Sequence, residues 1–392
     1  MKILRVITSM DPSLGGPSQG IRNSIPEFQK LGAYSEVVSM DDSNALFLGN
    51  DNFKINTIGA AQGPWQSNKN LIPWLVTNLA RFDAVIVHGL WLYHTYAVHK
   101  ALKTLQQGKN DKQNIPKMFV MPHGMLDPYF QKAQGRKLKA IRNWLYWKLV
   151  EGKILNNADG ILFTCEEELR LARETFSPYH PQQEINIGYG ISQPPAFKVE
   201  MQQEFLELCP QVVNNPYILF LSRIHEKKGV DLLINAYKQL LTESNGTIMP
   251  KLVIAGPGLE TPFGKEMRQL GKGYEDSILF PGMLTGNKKW GAIYGCDVFV
   301  LPSHQENFGI SVAEALACSK PVLISNQVNI WREMEGGAIV SSDTFEGTKS
   351  MLSQWLSMDT EDKQAMAQKA HYAYERNFES FPAAKKFLEA IS

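Results

Sequence analysis

Short apolar runs alternate with longer amphipathic stretches along the whole chain. In the first half the runs are 3–8, 36–39, 84–87, 118–121 and 160–164, each four to six residues long. Their length and their Val and Ile content predict strands. Between them, 19–31 and 93–107 place apolar residues at helical spacing. After Ile185-Asn186-Ile187 the composition changes to GYGISQPPAFK, a Gly/Pro-rich stretch that predicts a linker. The second half repeats the alternation, with runs at 217–221, 252–255, 278–280, 298–301 and 322–325. Residues 359–391 read as helical. Strands alternating with helices form parallel sheets covered on both faces. The pattern therefore predicts an α/β chain of two Rossmann-like, doubly wound parallel-sheet domains, 1–192 and 193–375, with the carboxyl ends of both sheets facing a deep cleft.

Composition narrows the class. A chain of 392 residues is too long for one ordinary core. A net charge of +1 disfavours nucleic acid as the main partner. The four cysteines are far apart with no C-x-x-C pair, so neither a zinc site nor a disulfide framework is expected. Scattered free cysteines fit a reducing cytoplasm. The opening MKILRVITSM reads as a first strand rather than a signal peptide, and no window approaches about 18 uninterrupted apolar residues.

The richest stretch for chemistry is PSHQENFGISVAEALAC, which begins at Pro302 directly after the run 298–301. It reads as a loop that enters a helix at Gly309. Such a loop lies at the carboxyl end of a parallel strand, where open α/β sheets bind ligands. The helix start would direct the N–H groups of Phe308, Gly309 and Ile310 outward, a setting suited to phosphate. Glu306 and Glu314 flank it with seven residues between them. Taken alone, the two read as ordinary acids of a helix. Arg223 and Lys228 follow the run 217–221 and could neutralise a diphosphate, or form a solvated basic loop balanced by Glu226 and Asp231.

In the first half, Gly15-Gly16-Pro17 follows the first strand, with Gly20 close behind. The spacing fits neither G-x-G-x-x-G nor G-x-x-x-x-G-K-[ST], so neither a nicotinamide site nor an ATPase loop is supported. His88 and His123 each end a predicted strand. His88 reads as structural, whereas Pro122 and Gly124 fix a tight turn around His123. No H-E-x-x-H, no comparable cluster and no Asp-x-Asp pair is present, so no metal is expected. Residues 132–153 are basic and aromatic, with Trp144, Tyr146 and Trp147 among the cations and Glu151 as the single acid. A core-packed helix whose basic side chains snorkel is the plainer expectation. The other is a helix lying on an anionic membrane.

Together these phrases resemble the retaining glycosyltransferases of family 4, which have the two-domain GT-B fold. The phrases that carry the resemblance are SRIHEKKGVDLLINA from Ser222, IAGPG from Ile254, FPGML from Phe280 and PSHQENFGISVAEALAC from Pro302. GGP at Gly15 and PHGMLDP at Pro122 add to it, the latter similar to bacterial transferases that build surface polysaccharides. The resemblance implies a nucleotide-sugar donor, with UDP-glucose, frequent in the family, as the expected one, and a saccharide acceptor. It implies Arg223 and Lys228 on the diphosphate, Glu314 on the ribose, and Glu306 on the sugar hydroxyls. The amides of Asn307, Phe308 and Gly309 would lie near sugar and phosphate, and the backbone around Met283 near the base. Gly15 and Gly16 would approach the phosphate and His123 the transferred sugar. The catalytic set would be Glu306, Arg223, Lys228 and His123. A closing helix, 376–392, would cross back to the first domain.

The expected reaction is metal-independent and cofactor-free, with a hexose transferred in bacterial polysaccharide synthesis. Location and charge point to Tyr93, His94, Arg136 and Lys137 for the acceptor, which could be acidic or lipid-linked. The protein is expected in the cytoplasm, and peripheral contact with the inner face of the cell membrane through 132–153 is the alternative to a core-packed helix there. An epimerase or hydrolase of the same fold, and a non-catalytic binding subunit, are the competing readings.

Overall fold

The computed structural model describes residues 1–49, 51–108, 114–132, 137–244 and 249–392. The chain divides into two compact units, Met1–Ile191 with Ser380–Ser392, and Ser192–Glu379. The first contains strands β1 (Lys2–Ile7), β2 (Tyr34–Ser39), β3 (Lys54–Thr57), β4 (Ala84–His88), β5 (Lys117–Met121), β6 (Gly160–Phe163) and β7 (Glu184–Asn186). They pair in parallel in the order β3-β2-β1-β4-β5-β6-β7. The second contains β8 (Tyr217–Leu221), β9 (Lys251–Ala255), β10 (Ile278–Gly282), β11 (Val298–Leu301), β12 (Val322–Ser325) and β13 (Ala338–Ser341). These are also parallel, in the order β10-β9-β8-β11-β12-β13.

Both sheets reverse direction of growth once, between β1 and β4 and between β8 and β11. At such switch points the loops leaving two neighbouring strands part and open a crevice outside the carboxyl ends. The central strands are buried on both faces, so they read as unbroken apolar runs, AVIV in β4 and VFVL in β11. The edge strands β3 and β7 are half-buried and polar, KINT and EIN, and carry little pattern. They and the short β13 are additions to the predicted strands.

Three expectations change in detail. The helical C-terminal stretch is two helices, Thr360–Asn377 and Ser380–Ile391, and the second belongs to the first unit. The Gly/Pro-rich stretch is not loose at its start. Tyr189 is buried, and its hydroxyl donates to the Gly16 carbonyl at 2.8 Å. A Cβ at Gly20 would collide with that ring, which explains a small residue there.

The third change concerns the basic aromatic stretch, which is not simply core-packed. Asn143, Trp147 and Glu151 turn inward, and Trp147 stacks on Phe176 at 4.8 Å. Leu138 is 84% exposed and Leu149 69% exposed, and Ile141, Trp144 and Leu145 are exposed between them. A π-helical turn at Trp147–Glu151 continues the helix Lys137–Tyr146. Among the described residues, no helix is long and apolar enough to cross a membrane.

Candidate active site

In the second unit, the β8 and β11 loops are locked to each other. The Ser303 hydroxyl and the His304 N–H donate to the Lys227 carbonyl at 2.8 and 2.7 Å. Gly229 adopts φ 64, and a Cβ there would collide with the Pro302 carbonyl oxygen. Only glycine allows this approach, which carries the buried Lys228 against the second loop. Its ammonium meets the Glu306 carboxylate at 2.5 Å. Burial alone would raise the Glu306 pKa. The Lys228 charge and hydrogen bond, the Arg223 charge and the Asn307 N–H outweigh that, so the carboxyl lies below its usual range. The Glu306 backbone is fixed as well, bonded through its N–H to Gln327 and through its carbonyl to Asn329.

Arg223 is exposed. Asn329 donates to the Asn307 side chain at 3.4 Å, and Phe308 is buried edge-on against Phe378 at 5.6 Å. Gly309, at φ 77, caps the helix Ile310–Ala317. The first N–H groups of that helix have no intrahelical partner. Glu314 projects from the same helix and pairs with Lys289 at 2.6 Å. Sequence reasoning missed Lys289, which lies 25 residues upstream in a helix of no recognisable motif. Met283 is exposed just beyond β10. The pattern IAGPG carries a tight approach, because a Cβ at Gly256 would collide with the Ser222 carbonyl. Thus Arg223, Lys228, Glu306, Asn307, Gly309 and Glu314 cluster on the loops and helix of one switch point.

In the first unit the corresponding crevice is built from neutral rings. Gly15, at φ 102, caps the helix Gly16–Lys30, and Pro17 fills its first turn. His88 ends β4 and is buried. His123 follows β5 at φ 53, next to Gly124 at φ 78. The buried Glu168 carboxylate accepts from the Gly124 N–H at 2.5 Å, and from the Thr164 N–H and hydroxyl at 2.8 and 2.6 Å, so it fixes that turn. His88 Nδ1 lies 2.9 Å from His123 Nε2. Burial, then the Arg5 charge, depresses His123 to about 3.

Of the residues expected at the acceptor, Tyr93 is half-buried on the helix Tyr93–Gln107 and Lys137 is exposed. Arg136 lies outside the described residues. His94 does not fit that role. It is buried, with Nδ1 3.3 Å from the Thr8 hydroxyl and Nε2 2.9 Å from the His88 carbonyl. Its position one residue into a helix gave no sign that the ring turns inward to the ends of β1 and β4. Among the described residues, no group of three or more His, Cys, Asp or Glu side chains is arranged for a metal ion.

Comparison with known proteins bears on this arrangement. Residues 210–372 match the family model described as glycosyl transferases group 1. An uncharacterized glycosyltransferase of Methanocaldococcus jannaschii is 30% identical over 151 residues, 37% of each chain. The alpha-monoglucosyldiacylglycerol synthase of Streptococcus pneumoniae is 29% identical over 184 residues, 45% of this chain and 39% of that one. Through this region the chain is similar to the group 1 glycosyltransferases. The matched stretch spans under two fifths of the length of these two relatives.

Solved structures extend the likeness in fold to the whole chain. Sucrose-phosphate synthase from Thermosynechococcus elongatus superposes with a TM-score of 0.73 at 17% identity, covering 99% of this chain and 98% of that one. Anabaena HepE, solved in complex with UDP and glucose, gives 0.74 at 17% identity, covering 100% and 99%. The two parallel sheets are the GT-B fold of these structures.

Proposed function

We propose that this protein is a retaining glycosyltransferase that moves a hexose from a nucleotide-diphosphate sugar to a saccharide acceptor. The observation that carries the reading is the Lys228–Glu306 pair, with Arg223 beside it, at the carboxyl-end switch point of the second sheet. Breaking the anomeric C–O bond leaves negative charge on the diphosphate. Arg223, Lys228 and the first N–H groups of the helix Ile310–Ala317 supply fixed positive charge there, where preorganised donors act most strongly. That charge stands in for a metal ion, so the reaction proceeds without one. UDP-glucose is the favoured donor, a choice supported in fold by HepE, which was solved with UDP-glucose.

In this reading Glu306, ionised by its cations, accepts from sugar hydroxyls, and Glu314 accepts from the ribose once Lys289 yields or shares it. The acceptor oxygen attacks the anomeric carbon from the face that the diphosphate leaves. A new C–O bond forms as the old one breaks, and the acceptor proton passes to the departing phosphate oxygen. A covalent role for Glu306 is disfavoured because its carboxylate is already committed to Lys228. A contact of His123 with the transferred sugar is part of the same proposal.

The acceptor is proposed to be lipid-linked and to serve polysaccharide assembly. The exposed stripe Leu138, Ile141, Leu145 and Leu149 supports this, with Lys137, Lys139, Arg142 and Lys148 beside it. Apolar residues flanked by cations suit the surface of an anionic bilayer. The single acid of that stretch, Glu151, is buried and takes no part in the surface charge. The deciding experiment is NMR of the product from UDP-glucose in EDTA, with and without a saccharide acceptor. Transfer with retained anomeric configuration is expected. Consumption of donor without an acceptor would favour hydrolysis or epimerisation, and an inverted product would exclude the mechanism.

A further inference from the structure

Arg5 is an unusual core residue. It sits on β1, 1% exposed, and its guanidinium lies between the rings of Phe28 at 4.8 Å and Phe387 at 4.7 Å. Phe387 belongs to the C-terminal helix Ser380–Ile391. Nη2 reaches the Ser24 hydroxyl at 3.4 Å, and Nη1 reaches His88 Nε2 at 3.3 Å. No salt bridge joins Arg5 to a carboxylate among the described residues. A buried cation without a counter-ion is costly, and burial lowers its pKa to about 9.

The chemistry of guanidinium sets a direction. Arginine only donates, so His88 Nε2 must accept, and the His88 proton must be on Nδ1. That proton points along the 2.9 Å contact to His123 Nε2. His123 Nε2 must therefore accept in turn, and the His123 proton is on its Nδ1. We infer that Arg5 and His88 are positioning residues which, through this order of hydrogen bonds, present His123 as a neutral Nδ1–H donor.

The other groups around the chain of bonds agree with this. His94, at the carboxyl end of β4, accepts at Nδ1 from Thr8 and donates through Nε2–H to the His88 carbonyl. The Tyr189 phenol faces Arg5, and burial raises its pKa, so it stays neutral. Glu168, on the helix Glu166–Thr175, holds the Gly124 N–H rather than either ring. Burial, then Arg5, keeps His88 well below the usual histidine range. His123 Nδ1 has no hydrogen-bond partner among the described residues, and the ring is partly exposed. Its accepting nitrogen is occupied, so His123 cannot act as a general base. It can only donate to an oxygen, which suits a sugar hydroxyl or a departing phosphate.

The role of that donor in catalysis rests on the proposed transfer reaction, but the order of the bonds does not. A long-range proton–nitrogen NMR spectrum of histidine-labelled, substrate-free protein reads it directly. His88 and His123 should both show the neutral Nδ1–H pattern at pH 7 and remain unchanged down to pH 5. A proton on His123 Nε2, or titration of His123 near the ordinary histidine range, overturns the relay.

Arg5→Met should shift the His123 titration upward and lower kcat on the order of tenfold, the scale on which outer partners of a histidine act. The donor KM should change much less, and Arg5→Lys should restore most of the rate. If Arg5→Met does not fold, His88→Asn keeps a donor towards His123 and should keep its Nδ1–H pattern, whereas His88→Leu should lose it. Should Arg5→Met disturb the His123 spectrum yet leave kcat unchanged, the relay stands. In that case the failure lies in the reading of His123 as a group that faces the sugar.

Discussion

The two sheets solve the same problem with opposite chemistry. Each places its functional loops at the switch point of a parallel sheet. The second unit fills that place with ions, Lys228 against Glu306 and Lys289 against Glu314. The first fills it with neutral imidazoles lined up by one buried arginine. The contrast extends to single residue types. Glu306 and Glu151 are both glutamates in crowded surroundings. Glu306 faces cations and is pulled below the usual carboxylate range. Among the described residues none pairs with Glu151, and burial raises it to about 8. Burial disfavours the charged form, and neighbours decide whether that preference survives. A charged site can hold a leaving diphosphate, whereas a neutral ring can direct a hydrogen bond without competing for that charge.

The largest expected effect tests the ionic side. Lys228→Ala should lower turnover by roughly 10²–10³-fold, the usual loss on removing one preorganised charge or donor. It should also release Glu306 upward towards the ordinary carboxylate range. The steady-state rate and its acid limb read both changes, and a rate near wild type would remove the diphosphate assignment. Set against the tenfold expected for Arg5→Met, this pair of variants measures how unequal the two sites are.

Next comes stability. The Glu151 carboxyl has a raised pKa in the folded protein, so the folded state binds its proton more tightly than the unfolded one does. That contribution is fully present below the unfolded pKa near 4.5 and is lost as pH rises to about 8. Glu151→Gln cannot ionise. It should therefore be more stable than wild type by roughly 3 kcal/mol near pH 7 and by little near pH 4. Thermal melts across that range check this, and a pH-independent difference would show that Glu151 is not held protonated.

The smallest effect on chemistry belongs to the exposed stripe. Leu138→Ser with Leu149→Ser should leave turnover on a soluble acceptor within about twofold, since exposed positions rarely matter to the fold. The same variant should lose binding to vesicles containing anionic lipid, measured by co-sedimentation. Unchanged vesicle binding would take the membrane out of the proposal.

The ionic side was more legible in the chain than the neutral side. Arg223, Lys228, Glu306 and Glu314 stand in two compact phrases, because short loops after neighbouring strands hold them. A charge also announces itself in any sequence. His123 showed through the Pro and Gly around it. Arg5 did not, since an arginine inside an apolar strand carries no sign of what it faces. Lys289 was hidden because its pairing with Glu314 joins two helices. The inward turn of His94 was equally invisible, and the polar edge strands β3 and β7 lacked the pattern that burial on two faces imposes.

By itself, then, the sequence determined the alternation of strands and helices, the two parallel sheets and the phrases at the second switch point. Each follows from local spacing and from which residues must avoid water. Tertiary structure alone decided the protonation order of the histidines, the opposite fates of Glu306 and Glu151, and the exposure of Leu138 and Leu149. Those properties depend on which groups meet across the fold, and on how much water remains between them.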